Sequence, residues 1–371
     1  MNLVIRTLSA AAMSLAVGGQ AMAQDAYDIG ALFPLSGHTA AFGEMYRSAT
    51  SLAVEHINAD KFLDKPLTVT FEDSQAQAQT AVVAMNKLVR VAQVPVVLTG
   101  FSAVSKAIAP LGERDEVLVI NGGASSPDLA GLSPYFYNVI PLANDEVKTL
   151  LPYLAEEMGA RKIALVYVDD PLGQAVVETL GEDAPKNGME LAGSFAISSS
   201  TSQFASIAAR VRQTGADAVF LAYFGQQLIS LAKQLRDAGV EVPFVGISTI
   251  GDPNFIADPA GEGTIYVSQK TDWGADDALT RRFVDGYREQ FGKEPTPYDA
   301  NYYNATMIVA KVIDELESDG LEVTGKAIRD KLAEIRSFRV VGGELEFHDD
   351  GTVTVPSQIN LIENRAVRVV Q

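Results

Sequence analysis

The chain has 371 residues, 47% of them apolar and 20% charged, the profile of a folded protein long enough for two domains rather than one. It has no cysteine, and its three histidines, His38, His56 and His348, are scattered; zinc ribbons, iron–sulfur clusters, thiol nucleophiles and disulfide scaffolds are thereby excluded, and no metal or cofactor is expected. A formal charge of −18 repels nucleic-acid phosphates and anionic lipid, so neither is an expected partner.

Residues 1–23 read as a cleavable secretory signal: Arg6 supplies a positive charge, Leu8 to Val17 is a short apolar run, and Ala21 and Ala23 place small residues before Gln24. The run is diluted by Ser9, Ser14, Gly18 and Gly19 and falls short of the roughly 20 apolar residues a membrane span needs. Export without a cysteine to carry lipid implies a protein free in the periplasm rather than anchored.

From Tyr27 short apolar runs alternate with amphipathic segments. Tyr27–Phe33 reads as a buried strand and Phe42–Ala59 as a helix; Leu67–Phe71 and Ala78–Val91 repeat the pair, as do Val94–Leu98 and Val104–Glu113, before a strand at Val117–Ile120. Phe136–Pro141 reads as a short extended crossing. A second block follows: a helix capped by Asn144 and running to Met158, strand Lys162–Val168, helix Gly173–Ala184, strand Met189–Phe195, helix Ser202–Gln213, strand Ala218–Leu221, helix Gly225–Ala238 and strand Phe244–Ile247. Strand–helix units of this length imply parallel strands joined by right-handed crossovers. Helices at Asp276–Phe291, Tyr298–Leu316 and Thr324–Ile335 come without intervening strands and should pack back on the first block. Thr352–Val370 reads as a hairpin turning at Glu363-Asn364. The expected architecture is α/β: two doubly wound parallel-sheet lobes joined by a three-crossing hinge. Residues 24–142 plus 274–350 would form one lobe, and residues 143–273 plus 351–371 the other.

Several chemical-looking motifs fail on their own terms. Gly320 to Ala327 nearly spells a phosphate-binding loop, but Ala327 stands where a magnesium-holding hydroxyl is needed. Gly100-Phe101-Ser102-Ala103-Val104 resembles a nucleophile elbow, yet Val104 replaces the second glycine; a Ser102–His38 hydrolase stands as the enzymatic alternative. Asn304-Ala305-Thr306 spells a glycosylation sequon inside a helix. What remains is polar loops at the carboxyl ends of strands: Pro34 to Gly37, Gly100 to Ser102 and Asn121 to Pro127. In an open parallel sheet such loops meet on one rim, where helix N-termini favour anions.

Ala31 to Gly37, Gly100 to Ser102 and Val119 to Pro127 resemble the branched-chain amino acid (Leu/Ile/Val) binding proteins of ABC importers, and the similarity continues through Lys162–Gln174, Gln234–Gly239 and Tyr287–Ala300. The resemblance implies the type I periplasmic binding fold, closing over a small ligand. It implies that Ser102 and Ser125 hold a ligand carboxylate, that the loop Gly123-Ala124 offers backbone to an amino group, and that Phe42, Tyr223, Phe224 and Tyr298 supply aromatic walls. Two positions depart from it. Ser248 stands where an acid would pair with a ligand ammonium, and Leu172 where a tyrosine precedes glycine. The expected ligand is therefore a small carboxylic acid with an aromatic or branched tail rather than leucine itself, unless Asp252 restores the missing charge. The expected protein is a monomeric solute-binding protein, not an enzyme, serving an inner-membrane ABC permease; a periplasmic sensory module shares the same fold.

Overall fold

The computed structural model describes residues 26–371; the expected signal, residues 1–23, lies outside them. The first strand–helix block builds a five-stranded sheet from β1 (Tyr27–Phe33), β2 (Leu67–Asp73), β3 (Val96–Thr99), β4 (Leu118–Asn121) and β5 (Phe136–Asn138). Its order is β2-β1-β3-β4-β5 and every pairing is parallel. β3 and β4 are buried at every residue, as continuous apolar strands must be when helices cover both faces. Those helices are α1 (Ala40–Ala59), α2 (Ala78–Lys87) and α3 (Ser102–Arg114).

The second block repeats the winding. β6 (Lys162–Val168), β7 (Glu190–Ile197), β8 (Ala218–Ala222), β9 (Phe244–Gly246) and β10 (Ile265–Gln269) lie parallel in the order β7-β6-β8-β9-β10. With them go α4 (Ala143–Glu156), α5 (Pro171–Asp183), α6 (Ala205–Gln213), α7 (Gly225–Asp237) and the one-turn α8 (Pro253–Ala257). The chain then crosses back into α9 (Ala278–Phe291), α10 (Pro297–Ser318) and α11 (Gly325–Ile335). α10 lies along α1, and the Tyr302 hydroxyl donates to the Thr99 carbonyl at the end of β3, 2.7 Å away. Thr324 caps α11 as expected, its hydroxyl accepting from the Ala327 N–H.

Five local features differ from the sequence expectation. The second block does not end at Phe244–Ile247: β10 (Ile265–Gln269) follows as a further parallel strand, its apolar run diluted by Ser268 and Gln269. Phe136–Asn138 is the fifth strand of the first sheet, not the crossing, which follows it. Asn144 does not cap α4: the helix begins two residues earlier than expected, with Leu142 at the cap position and no side-chain bond, and Asn144 donates instead to Asp145. A small antiparallel pair, β11 (Ser337–Val340) with β12 (Gly343–Glu346), follows the three helices; four-residue strands are too short for alternation to stand out. The last hairpin, β13 (Ser357–Glu363) and β14 (Ala366–Val369), turns at Asn364-Arg365, one residue later than expected, both with positive φ. It starts only after Pro356, which has no N–H to pair, and β13 adds antiparallel to β10. No helix among the described residues is long and apolar enough to cross a membrane.

Candidate functional site

The carboxyl end of β4 is folded into a tight loop by its last residue. Asn121 Oδ1 accepts from the N–H groups of Ala124 and Gly123 at 2.7 and 3.2 Å, while Nδ2 donates to the Ala124 carbonyl at 2.7 Å and to Asn138 Oδ1 at 2.9 Å. A Cβ on Gly123 would collide with the Tyr46 and Tyr302 hydroxyls, so only glycine lets the loop sit this deep. Ser102 opens α3 at the end of β3, and its Oγ accepts from the Ser126 N–H at 3.2 Å, joining the two serine-bearing loops. Phe101, just before, has φ 67°, a conformation that destabilises a non-glycine residue by about 1–3 kcal/mol. It sets the Phe101 ring edge-on to Phe42 at 5.9 Å and to Phe224 at 5.2 Å.

Leu172 and Phe224 come from the facing sheet. α5 starts Asp170-Pro171, and Asp170 Oδ1 caps it by accepting from the Gly173 N–H at 3.0 Å. Gly173 packs so tightly on the Val168 carbonyl that no Cβ fits. Phe224 occupies the N-cap position of α7. The two sides touch: Ser126 Oγ donates to the Pro171 carbonyl at 3.2 Å, and the Gln226 N–H donates to the His38 carbonyl at 3.3 Å. Between them lies a narrow cleft of about 20 Å³.

Eight of the ten expected positions border this cleft: Phe42, Ser102, Gly123, Ala124, Ser125, Leu172, Phe224 and Tyr298. Tyr223 and Ser248 do not. The Tyr223 ring stacks on Phe224 at 6.0 Å but is held off the cleft, packing edge-on against Phe204 with its hydroxyl donating to the Ser198 carbonyl at 2.8 Å. Ser248 is committed to Glu146: its N–H and Oγ donate to Glu146 Oε2 at 3.2 and 3.0 Å, and the Tyr298 hydroxyl donates to Ser248 Oγ at 3.4 Å. Asp252 caps α8 rather than facing the cleft.

Four bordering residues went unread: Tyr46, Phe101, Asp170 and Thr249. Tyr46 stands one helical turn after Phe42, on the same face. Asp170-Pro171 carries a helix-start signature, an acid followed by proline at the first helical position. Burial pushes the Asp170 carboxyl up to about 6, against the pull of the Gly173 and Leu172 N–H groups, so it is mostly ionised at neutral pH. Burial also holds the Tyr46 and Tyr298 phenols well above their ordinary value, leaving them neutral donors.

The first turn of α3 directs free N–H groups and the positive end of the helix dipole at the rim, and Ser102 and Ser125 add hydroxyls beside an aromatic wall. The lining suits a small anion with an apolar body, although at about 20 Å³ the cleft as it stands has room for about one water, so such a ligand enters only when the two sides part. Among the described residues no hydrogen bond joins Ser102 to His38: Ser102 Oγ accepts from the Ser126 amide, while His56 bonds the Tyr303 hydroxyl and His348 bonds Thr354. No group of three or more acids and histidines that could hold a metal occurs among the described residues.

A family model described as periplasmic binding protein matches residues 26–363. The Leu/Ile/Val-binding protein homolog 3 of Brucella melitensis is 22% identical over 362 residues, covering 96% of both chains. A branched-chain amino acid transporter substrate-binding protein from Streptococcus pneumoniae, solved with isoleucine, superposes with a TM-score of 0.83 at 21% identity, over 93% of this chain and 99% of the other. A solute-binding protein of an ABC transporter from R. palustris, solved with benzoate, gives a TM-score of 0.83 at 16% identity, over 93% and 95%. These structural likenesses establish the type I periplasmic binding fold.

Proposed function

This chain belongs to the periplasmic binding protein family, and from that premise we propose that it is a periplasmic solute-binding protein that captures a small carboxylate in the cleft and delivers it to an inner-membrane ABC permease. The observation that carries this reading is the placement of Ser102, at the N-terminus of α3, beside the Ser125-Ser126 loop and within the ring of Phe42, Phe101, Phe224 and Tyr298. Residues 24–142 with 274–350 act as one body and residues 143–273 with 351–371 as the other. The packing of α10 on α1 and the pairing of β13 with β10 support that division. Closure excludes water, which strengthens the hydrogen bonds to the carboxylate, and forms the joint surface that a permease reads. No bond of the ligand is made or broken, and the protein works as a monomer.

The ligand is a small carboxylic acid with a branched or aromatic tail. Among fold relatives one was solved with isoleucine and another with benzoate, the two kinds of apolar body an aromatic-walled cleft suits. Asp170 favours a second reading, an amino acid with the same tail, because its carboxylate borders the cleft. Thermal unfolding in the presence of 4-methylpentanoate, benzoate, leucine, isoleucine and valine separates these. A ligand at about 100 times its dissociation constant adds roughly 2.7 kcal/mol, and the two acids are expected to raise the melting temperature. A shift with leucine, isoleucine and valine alone assigns the amino-acid reading. No shift with any carboxylate contradicts the function.

A further inference from the structure

Behind Tyr298 lies a larger cavity of about 410 Å³, within the size range of small-molecule sites and unlike the narrow cleft on the other side of the same ring. Ile140, from the crossing after β5, Tyr266, on β10, and Tyr298, on α10, form part of its wall, so it sits between the two sheets on the hinge side. Glu146 also lines it. That carboxyl is fully buried, and only half of it is satisfied: Oε2 accepts from the Ser248 N–H and Oγ, while Oε1 has no hydrogen-bond partner. Buried polar atoms are rarely left unpaired without a reason. Once Glu146 is ionised, with Oε2 already occupied as an acceptor, the group that completes the site is a donor to Oε1.

The surroundings select its charge. Of the neighbouring acids, Asp145 is solvent-exposed and the buried Asp252 caps α8, and neither lines the cavity. The only cationic lining residue is Arg365, which is solvent-exposed; Glu294, also lining, is exposed and paired with Arg288. Tyr298 and Tyr266 face the acid as neutral phenols, both held far above their ordinary value by burial. Glu146 is thus the one acid at the deep end, with no cation beside it to balance it, and the walls are largely aromatic and aliphatic. We propose that this cavity is a second binding site, which takes a small primary ammonium on an apolar body and anchors it on Glu146 Oε1. The site is separate from the carboxylate cleft, and the proposal stands whichever carboxylate that cleft takes.

Isothermal titration of the signal-free protein with 3-methylbutylammonium at pH 7, in two buffers of different ionisation enthalpy, tests this. Burial pushes Glu146 up to about 8, so it is largely protonated before the amine arrives. Pairing ionises it, and the expected result is binding with release of close to one proton to the buffer. Glu146→Gln preserves an acceptor for Ser248 and is expected to weaken the amine roughly tenfold or more, abolish proton release, and leave 4-methylpentanoate affinity within twofold. Equal binding to wild type and Glu146→Gln overturns the proposal. Loss in Asp170→Asn but not in Glu146→Gln overturns it too, because the amine is then in the cleft. No binding, or binding without proton release, also overturns it. Binding of 4-methylpentanoate in the same series reports on the carboxylate cleft separately, so either reading can fail without the other.

Discussion

Replacing Ser102 with alanine removes one oxygen that serves two partners. Its Oγ accepts from the buried Ser126 N–H at 3.2 Å, and in the proposed complex its proton goes to the ligand carboxylate. A hydrogen bond to a charged group contributes about 1.5–3 kcal/mol; at about 1.4 kcal/mol per tenfold, affinity for 4-methylpentanoate should fall by roughly 10- to 100-fold. The second effect is smaller. Ser126 loses a long acceptor, and stability should drop by about 1 kcal/mol. Titration calorimetry measures the first effect and thermal unfolding of the free protein the second. Ser36→Ala is the control: Ser36 is exposed, bonds Asp73 and stands off the cleft, so ligand affinity should not change. A folded Ser102→Ala variant that binds within twofold of wild type would refute the role given to this hydroxyl.

Three further substitutions probe the frame around the site. Glu146 is held at about 8 by burial, against an ordinary 4.5; between those values the native state binds the extra proton, so its contribution to stability is full below about pH 4.5 and is lost as pH rises through 8. Asp170, raised to about 6, acts in the same direction, so the informative quantity is the difference between proteins. Urea unfolding at pH 5 and pH 8.5 should show wild type losing up to a few kcal/mol more than Glu146→Gln, and identical losses would contradict the burial argument. Gly173→Ala forces a Cβ onto the Val168 carbonyl and should lower stability by about 1–3 kcal/mol or more, read as a depressed melting temperature; an unchanged melting point would mean that α5 can shift freely. Tyr302→Phe strips the donor from the buried Thr99 carbonyl, with an expected loss of about 1–3 kcal/mol in urea titration.

The sheet winding and the serine loops were legible because their signals are local. Buried parallel strands read as unbroken apolar runs, and Ser102 and Ser125 stand in Gly- and Ser-rich segments directly after such strands. Residues whose role depends on orientation were not legible. Tyr223 and Phe224 are adjacent aromatics, and nothing in their spelling says which faces the cleft; the hydrogen bond from Tyr223 to Ser198 decides it. Ser248 was placed by position, but its partner Glu146 is 102 residues away in sequence, and no spacing rule links them. Asp170 carried a readable cap signature, yet a cap looks the same whether it faces solvent or a cleft. The left-handed backbone of Phe101 has no sequence mark, since a phenylalanine there contradicts local propensity.

A crystal structure of the protein with 4-methylpentanoate tests the central claim most directly. The carboxylate is expected between the two sheets, its oxygens within about 3 Å of Ser102 Oγ and of the Ser125 N–H or hydroxyl, with the alkyl tail against Phe42 and Phe224. A ligand bound elsewhere, or one whose carboxylate faces solvent while its tail occupies the serine loops, would contradict it.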